Sequence, residues 1–587
     1  MLKLACISCP NFGWKTAFVL TTLRVISARS IQKSDLQLPP DAAENARHTI
    51  EMFKSAYQSY KSFAWGHDSL APLTNGYIDD RNGWGATIVD SLSTMHIMGL
   101  EDLFKEGVEF TLSIDFSSSK TNSTVSLFES TIRYIGGILS AYELDGRKDR
   151  RLVDKAQELA DKLVHSWVDD NDIPYNELNF TINQPIIEEV CYTAFLPATM
   201  CCNTIFSAVA GTLVLEWSRL SEYTGKAQYR ELSEKSMRRI GLLPSPFPGL
   251  PAQMVDPKTN KPNGTYVTWG GGSDSYFEYL IKYGRFTNNA NTIWTKQWLT
   301  AVDSSITHLA QEPIGTDIKG LLYLGEWYNE TFRHLGSHLA CFHGGNWIMG
   351  GRLTDNDTIV DYGLRLTDTC WNTYERTATG LGPEVFGFVG PDGDLAGKAK
   401  PSSSDLAFYK ENGFYSYNDS MWAYYDLRPE VLESNFYAWR TTGDIKYQQR
   451  AHAALLSIEK YCKVDGGYVG IDDVRLVEQE SYINQTETFL FAEVLKYLYL
   501  TFADPQKINL DEWVMNTEAH PLMAPPLLDT YATTRWVGPV EPFRLRAVRA
   551  AVTVARSAAY LNALAWVVAI ILLGTSWRLR HRVLKEE

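Results

Sequence analysis

AYELDGRKDRRL (residues 141–152) joins two helical segments through a glycine that suits the left-handed end of a helix. The same pattern of helical run, glycine and second helical run returns in LSEYTGKAQYRE (220–231) and WRTTGDIKYQQR (439–450). Apolar residues recur with helical spacing from about residue 44 to about residue 503, and few segments alternate as strands do. The repetition predicts an all-α fold in which helical hairpins close into a ring.

The composition is that of an acidic globular protein. The chain has 587 residues, of which 45% are hydrophobic and 12% aromatic, and its net charge is -14. A chain this acidic has no basic stripe to neutralise phosphates, which argues against a nucleic-acid partner. The same composition leaves carboxylates for binding cations or sugar hydroxyls and aromatic rings for stacking.

Glycosylation sequons and cysteines indicate the secretory pathway. The seven N-x-S/T sequons lie at Asn122, Asn179, Asn263, Asn329, Asn356, Asn418 and Asn484. Residues 1–30 are predicted to be a signal peptide with the apolar core TAFVLTTL (16–23). Six of the eight cysteines lie beyond that segment, which fits an oxidising lumen, and the sequence alone does not fix their pairing.

The C-terminal part of the chain changes character after the helical body, which we place at 31–521. Several prolines predict a linker over 522–556. The uncharged segment 557–577 is long enough to cross a membrane as a helix, and the basic tail 578–587 predicts a cytosolic end. The alternative is a buried C-terminal helix. We expect a monomeric, luminal or secreted protein, with this span as its single membrane anchor.

Carboxylates recur at the starts or on the faces of predicted helices. In RPEVLES (428–434), Pro429 suits a first helical turn, so Glu430 and Glu433 share one face near the positive end of the helix dipole. A surface capping pair is the alternative interpretation. In SLFESTIRYIGG (126–137), Glu129 and Arg133 lie four residues apart in an apolar run, as a pocket acid or as a buried ion pair.

Further acids follow glycine-rich or aromatic segments. Asp274 and Glu278 share a helix face after WGGG (269–272), and Glu384 follows a Gly-Pro turn. Phe489 lies four residues before Glu493, as an aromatic platform beside an acid. Together these acids predict a deep acidic pocket suited to glycoside hydrolysis, and the alternative is a cage of oxygen ligands for Ca²⁺.

Seven motifs resemble those of class I α-1,2-mannosidases, glycoside hydrolase family 47, in order and in approximate spacing. They are FESTIRYIGGILSAYEL (128–144), GSDSYFEYLIK (272–282), HLACFHGG (338–345), TGLGPE (379–384), LRPEVLESNFY (427–437), ETFLFAEVLKYLYL (487–500) and NTEAHPL (516–522). The resemblance covers roughly residues 44–521, and the wording around Asp274 is most similar to that of fungal members.

The resemblance implies an (α/α)7 barrel with a central active site and a Ca²⁺ at its floor. It implies inverting removal of terminal α-1,2-linked mannose from Asn-linked high-mannose glycans. Glu129 resembles the general acid, and Glu430 and Asp274 resemble the two candidates for activating water, between which the sequence does not choose. Thr517 resembles the protein ligand of Ca²⁺. The residues implied to bind substrate or the waters around Ca²⁺ are Arg133, Glu278, His338, Glu384, Arg428, Glu433, Phe489, Glu493 and Glu518.

The resemblance also implies a disulfide between Cys341 and Cys370, while the pairing of Cys191, Cys201, Cys202 and Cys462 stays open. Relatives that act mainly as mannose binders in glycoprotein quality control generally lack that pair, and such a binder is the alternative function. A membrane-anchored scaffold without activity is a third interpretation, which loss of an acid would indicate. Gly272 stands where strictly endoplasmic-reticulum enzymes have Arg, which implies trimming of several mannoses.

Overall fold

A ring of helical hairpins forms the protein in the computed structural model, which describes residues 30–187, 204–391, 393, 402–416 and 422–533. Across this described part, seven inner helices each pack on the next and close the ring. They are Ala86–Met98, Gly136–Leu144, Val214–Thr224, Asp274–Phe286, His343–Leu353, Glu430–Thr442 and Leu495–Phe502. Their outer partners are Glu101–Ser113, Arg150–Leu163, Ala227–Gly241, Ile293–His308, Asp357–Glu375, Lys446–Cys462 and, for the last, Ala42–Phe63.

Inner and outer helices differ in burial as their sequences predict. In the inner helix Ala86–Met98 every residue except His96 is buried, because neighbours cover all of its faces. In the outer helix Arg150–Leu163 the buried residues recur every three or four positions, which leaves one polar face to solvent. The three glycines that suggested hairpins, Gly146, Gly225 and Gly443, have φ of 71°, 73° and 69°. The prediction of helical hairpins is confirmed.

The two ends of the helical body close on each other. The last inner helix, Leu495–Phe502, packs on the first helix of the chain, Ala42–Phe63. The segment before that first helix is also held, because the Ile31 N–H donates to Asp511 Oδ1 at 2.7 Å. The barrel is therefore closed by a contact between the start and the end of the chain's helical part.

Short helices and small antiparallel sheets connect the hairpins. The remaining helices are Leu127–Glu129, Ser130–Ile135, Val164–Ser166, Ser207–Gly211, Leu339–Phe342, Ser403–Asn412 and Leu490–Val494. The sheets pair Ser69–Ala71 with Gly76–Ile78, Val125–Ser126 with Glu177–Asn179 and Gln184–Pro185, Ile205–Phe206 with Met254–Asp256 and Lys261–Pro262, Ala310–Gln311 with Tyr323–Leu324, Glu326–Tyr328 with Thr331–Arg333, Leu335–Ser337 with Val385–Gly387 and Tyr415–Ser416, Lys463–Val464 with Gly467–Tyr468, and Gly470–Ile471 with Tyr482–Ile483.

A ninth sheet is a β-hairpin that enters the barrel. Its strands, Trp513–Met515 and Pro521–Met523, contact the inner helices Asp274–Phe286 and Gly136–Leu144. The tip between the strands is buried, with Asn516 and His520 both at 0% exposure. The hairpin thus fills the centre of the ring and presents its tip to the interior.

The structure differs from the expected linker start at residue 522. The chain after the hairpin stays on the barrel, where Arg285 donates to the Pro525 carbonyl at 2.7 Å and Tyr531 is buried at 1% exposure. The first part of the segment predicted as a linker therefore contacts the barrel. The rest of the predicted linker, the span 557–577, the basic tail and nearly all of the signal peptide lie outside the described residues.

Within the part of the chain that the structure describes, no helix has the length and apolar character that crossing a membrane requires. Cysteine pairing is described in part. Cys341 and Cys370 form a disulfide, the pair that the resemblance implies. Cys462 is a buried free thiol, and Cys191, Cys201 and Cys202 lie outside the described residues.

Candidate active site

A cavity of about 630 Å³ opens where several inner helices begin. Nine predicted site residues line it: Glu129, Arg133, Asp274, Arg428, Glu430, Phe489, Glu493, Thr517 and Glu518. The other four, Glu278, His338, Glu384 and Glu433, are buried behind its wall. The fold therefore gathers motifs from across the chain around one pocket.

Glu129 lies at a break in regular helix geometry. Its backbone N–H donates to Ser126 Oγ at 3.2 Å, which begins the short helix Leu127–Glu129. A π-helix, Ser130–Ile135, follows directly, and such wide turns are frequent at functional sites. In this geometry Arg133 Nε donates to Glu129 Oε2 at 2.8 Å. Glu129 and Arg133 thus form an ion pair and also line the pocket, so the two interpretations of the sequence, a pocket acid and an ion pair, are compatible.

The charges around Glu129 decide its ionisation. Burial raises the pKa of Glu129, but the nearby guanidinium groups of Arg81 and Arg133 outweigh that effect and lower the pKa to about 2. Arg81 Nε lies 3.3 Å from Glu129 Oε2. The two guanidinium groups therefore favour the ionised form of Glu129, whereas a general acid donates from its protonated form.

The surroundings of Asp274 shift its pKa in the opposite direction from that of Glu129. It is the first residue of its inner helix, and its Oδ1 accepts the Ser275 N–H at 2.8 Å. Burial raises the pKa of Asp274 to about 7, and the negative charges of Glu278 and Glu430 add to the increase against the Ser275 hydrogen bond. The surroundings of Asp274 therefore favour its protonated form more than solvent would.

Glycine at position 272 shapes the turn before Asp274. Gly272 has φ of 84°, and a Cβ there would lie 2.7 Å from the ring of Phe206. A side chain at this position would be strained by its backbone and would meet that ring. The small residue therefore keeps this wall of the cavity open.

Glu430 begins another inner helix and is held from behind. His338 Nδ1 lies 2.7 Å from Glu430 Oε2, and His338 Nε2 lies 2.7 Å from the Tyr374 hydroxyl. Burial raises the pKa of Glu430, but the bond with His338 and the charge of Arg428 outweigh it and leave the pKa below its usual range. Glu430 is an ionised carboxylate facing the cavity and not a surface cap.

Phe489 lies between two arginines on the cavity wall. Its ring centroid is 5.9 Å from the Arg133 guanidinium and 5.8 Å from that of Arg428. Arg428 Nε in turn donates to Glu384 Oε2 at 2.6 Å. Cation–π contacts and this ion pair fix the ring, which presents an apolar face on which a sugar could stack.

A buried lysine holds two of the predicted carboxylates behind the wall. Lys282 Nζ bonds Glu278 and lies 3.9 Å from Glu433 Oε1. Burial raises the pKa of Glu433 to about 8, although Lys282 lowers it. The sequence did not single out Lys282, because a lysine four residues after an acid usually marks a solvent-exposed helix face.

The tip of the β-hairpin forms the floor of the cavity. Thr517 lines it, and its N–H donates to the Tyr279 hydroxyl at 3.1 Å. Tyr279 donates to Glu216 at 2.6 Å, and Asn516 Nδ2 donates to the same carboxylate at 2.8 Å. Two residues of inner helices thereby fix the tip that bears Thr517.

Acids near this floor repel one another. Burial first, and then neighbouring carboxylates, raise the pKa of Glu493 and of Glu518 well above their usual range, while Arg133 opposes the increase for Glu518. Glu493 lies in a second π-helix, Leu490–Val494, directly after Phe489. A cation at this floor would offset the repulsion.

Comparisons with known proteins agree with this site and fold. The family model described as Glycosyl hydrolase family 47 matches residues 52–524. The probable mannosyl-oligosaccharide alpha-1,2-mannosidase 1B of Aspergillus clavatus is 38% identical over 506 residues, covering 82% of this chain and 93% of that protein. The mannosyl-oligosaccharide alpha-1,2-mannosidase of Penicillium citrinum is 37% identical over 492 residues, covering 80% and 90%.

A solved structure supports the same assignment. The alpha-1,2-mannosidase from Trichoderma reesei matches with a TM-score of 0.76 at 33% identity, covering 82% of this chain and 99% of that chain. The predicted resemblance, the (α/α)7 barrel and the enzyme class are thus confirmed. The chain belongs to glycosyl hydrolase family 47.

Proposed function

We propose that the protein is an exo-α-1,2-mannosidase that removes terminal α-1,2-linked mannose from high-mannose N-glycans. The names of its relatives support this substrate. Thr517 at the tip of the β-hairpin lines the same cavity as Glu129, Asp274 and Glu430, and a cavity closed off by this tip suits the end of a glycan chain, which supports exo-cleavage. The single observation that carries the proposal is the gathering of the carboxyls Glu129, Asp274 and Glu430 around one cavity, with Glu430 Oε2 held 2.7 Å from His338 Nδ1.

The two carboxyls support an inverting mechanism. Glu430, ionised and oriented by His338, accepts a proton from water, and the oxygen of that water attacks the anomeric carbon. The proton of Asp274 passes to the glycosidic oxygen as its bond to the anomeric carbon breaks. This assignment makes Glu430 the base. The resemblance implies Glu129 as the donor instead, and we propose Asp274 because Arg81 and Arg133 lower the pKa of Glu129.

Glu129 then has an electrostatic role. Glycoside hydrolysis passes through an oxocarbenium-like transition state, which bears positive charge. A fixed carboxylate beside the sugar stabilises that charge more than it stabilises the neutral substrate. Phe489 offers the stacking face, and Arg428 and Glu384 contribute polar groups on the same wall.

We infer that Ca²⁺ is the cofactor and that the hydroxyl and carbonyl oxygens of Thr517 hold it. Oxygen donors suit Ca²⁺, and the mutual repulsion of Glu493 and Glu518 favours a cation at this floor. In the described residues, no group of three or more His, Cys, Asp or Glu side chains has metal-binding spacing, so water would complete the shell. When bound, Ca²⁺ supplies positive charge and orients sugar hydroxyls.

The specificity and compartment follow from the same proposal. Gly272 leaves the wall near Asp274 open, which supports removal of several mannoses. Nascent N-glycans are found in the secretory pathway, so we place the enzyme in its lumen or outside the cell. The exposed positions of Asn122 and Asn329 are consistent with glycosylation there.

Hydrolysis of a nine-mannose N-glycan by the full chain tests the proposal. Released mannose is followed by NMR, which distinguishes its anomers, with Ca²⁺ and with EDTA. We expect α-1,2-linked mannose to appear first as the β anomer, and EDTA to stop its release. Binding of the glycan without release would favour the quality-control binder instead.

A further inference from the structure

Tyr374 lies behind the cavity wall and reaches the site through His338. The Tyr374 hydroxyl oxygen lies 2.7 Å from His338 Nε2, and His338 Nδ1 lies 2.7 Å from Glu430 Oε2. Tyr374 and His338 are buried, whereas Glu430 lines the cavity. A line of three side chains therefore runs from a buried hydroxyl to a cavity carboxylate.

His338 is held by its backbone and by its ring. Its N–H donates to the Glu384 carbonyl at 2.8 Å, and its carbonyl accepts the Cys341 N–H at 2.9 Å. The centroid of its ring lies 5.6 Å from that of Tyr374 and 5.7 Å from that of Tyr425. The backbone bonds fix the base of the side chain, and the two neighbouring rings limit the rotation of the imidazole.

The element that bears Tyr374 is tied to the element that bears His338. Tyr374 lies near the C-terminal end of the outer helix Asp357–Glu375. Cys370 on the same helix forms the disulfide with Cys341, three residues after His338. The disulfide thus joins the helix that presents the hydroxyl to the segment that presents the imidazole, which maintains their spacing.

Hydrogen-bond chemistry decides which nitrogen of His338 carries a proton. A carboxylate only accepts hydrogen bonds, so Nδ1, which faces Glu430, is the donor. In the neutral imidazole the other nitrogen, Nε2, then accepts a bond from the Tyr374 hydroxyl. The hydroxyl of Tyr425 donates its proton to the Arg428 carbonyl at 3.1 Å, so that proton is not available to Nε2.

We propose that Tyr374 is a positioning residue that holds His338 with its proton on Nδ1 and thereby orients Glu430 toward the attacking water. The inference rests on the proposed function, in which Glu430 is the base. Glu430 Oε2 accepts from His338, which leaves the other carboxylate oxygen to accept the proton of water. Tyr374 does not line the cavity, so its hydroxyl affects kcat more than KM.

The experiment compares Tyr374→Phe with the unchanged full chain and uses Tyr57→Phe as the matched control. Tyr57 is also buried, and its hydroxyl bonds no other residue within the described part of the chain. We expect Tyr374→Phe to lower kcat for the nine-mannose glycan by about threefold to tenfold with little change in KM, because one hydrogen bond is lost. Tyr57→Phe should leave both constants unchanged. An unchanged kcat in Tyr374→Phe would overturn the inference.

A second measurement separates this inference from the proposed function. The ¹⁵N NMR signals of the His338 ring, assigned by their loss in His338→Gln, distinguish a protonated nitrogen from a bare one. In the unchanged chain we expect a proton on Nδ1 and none on Nε2, and in Tyr374→Phe we expect the Nε2 signal to move as its donor is lost. A proton on Nε2 in the unchanged chain, or the same Nε2 signal in both proteins, would overturn the inference. Absence of mannose release by the unchanged chain would instead contradict the proposed function.

Discussion

Two regions of the cavity wall shift the pKa of the same chemical group in opposite directions. On one side, Glu129 faces Arg81 and Arg133, and its pKa is lowered to about 2. On the other side, Asp274 has acids as its charged neighbours, Glu278 and Glu430, and burial raises its pKa to about 7. The pKa values of these two partly buried carboxyls thus differ because their charged neighbours differ, and not because one residue is Glu and the other is Asp.

The contrast teaches how to assign roles in such a pocket. Burial alone raises the pKa of both carboxyls, so the placement of arginines decides which of them keeps a proton. Pairs of titratable groups whose surroundings separate their pKa values are the candidates for acid and base roles. On this basis we propose that Asp274 donates the proton and Glu430 accepts one from water, with Glu129 as the charged neighbour.

Asp274→Asn is expected to have the largest effect. The amide has no acidic proton to give, so kcat should fall by about 10²–10⁴-fold. Asp154→Asn, on an exposed helix face, is the matched control and should leave kcat unchanged. Release of mannose from the nine-mannose glycan measures both. Loss of less than about tenfold in Asp274→Asn would break the comparison, because Asp274 would then not be the donor.

Removal of Ca²⁺ tests the cavity floor at Thr517 separately from the two walls that bear Glu129 and Asp274. EDTA should abolish activity and lower the midpoint of thermal unfolding, because a ligand bound at about 100 times its Kd stabilises by about 2.7 kcal/mol. Re-addition of Ca²⁺ should restore both, whereas Mg²⁺, which binds fewer protein oxygens, should restore less. Full activity in EDTA would contradict the assignment of Thr517 as a metal ligand.

The contributions of Asp274 and Glu129 to the free energy of unfolding should change with pH in opposite directions. The folded-state pKa of Asp274 lies above its unfolded value of 3.8, so its contribution to the free energy of unfolding is present at low pH and is lost as pH rises through about 7. Asp274→Asn should therefore stabilise the protein more at alkaline pH than at mildly acidic pH. Urea unfolding at each pH measures this.

Glu129 should behave in the opposite way. Its folded-state pKa of about 2 lies below the unfolded value of 4.5, so its contribution is present above about pH 4.5 and is lost as pH falls through about 2. Glu129→Gln should destabilise the protein by about 1–3 kcal/mol at neutral pH, since Arg81 and Arg133 each lose one of their charged partners. If Glu129→Gln instead raised the free energy of unfolding at neutral pH, the contrast between the surroundings of Glu129 and Asp274 would be wrong.

Gly272→Ala should have the smallest effect of the set. Its left-handed backbone and its contact with Phe206 predict a loss of about 1–2 kcal/mol in the free energy of unfolding. Gly99→Ala is the matched control, because Gly99 has φ of 73° with nothing within 4 Å of an added Cβ. The difference between the two variants measures the contact with Phe206 beside Asp274.

Much of the fold was readable from the sequence because its signals are local. The glycines at 146, 225 and 443 end helices in the left-handed conformation, and apolar periodicity marks the helices on both sides. The candidate site was readable for a different reason. Seven motifs recur in a known order, and the barrel brings nine of their residues to one cavity.

The remainder depends on tertiary structure. The π-helices Ser130–Ile135 and Leu490–Val494 have ordinary helical sequences, so their wider turns were not readable from residue pattern. Arg81 follows a strand in DDRNGWG (79–85), where only charges and glycines gave a signal. The direction in which each pKa shifts was not readable either, because it depends on which arginine lies near which acid. The role of general acid that the resemblance implies for Glu129 stays a prediction.

Neutron diffraction from crystals of the full chain at about pH 6, one unit below the pKa of Asp274, tests the central claim most directly. Deuterium atoms on carboxyl oxygens are visible by this method. We expect deuterium on an oxygen of Asp274 and none on Glu129 or Glu430. Deuterium on Glu129 together with a bare Asp274 would contradict the account and return the role of proton donor to Glu129.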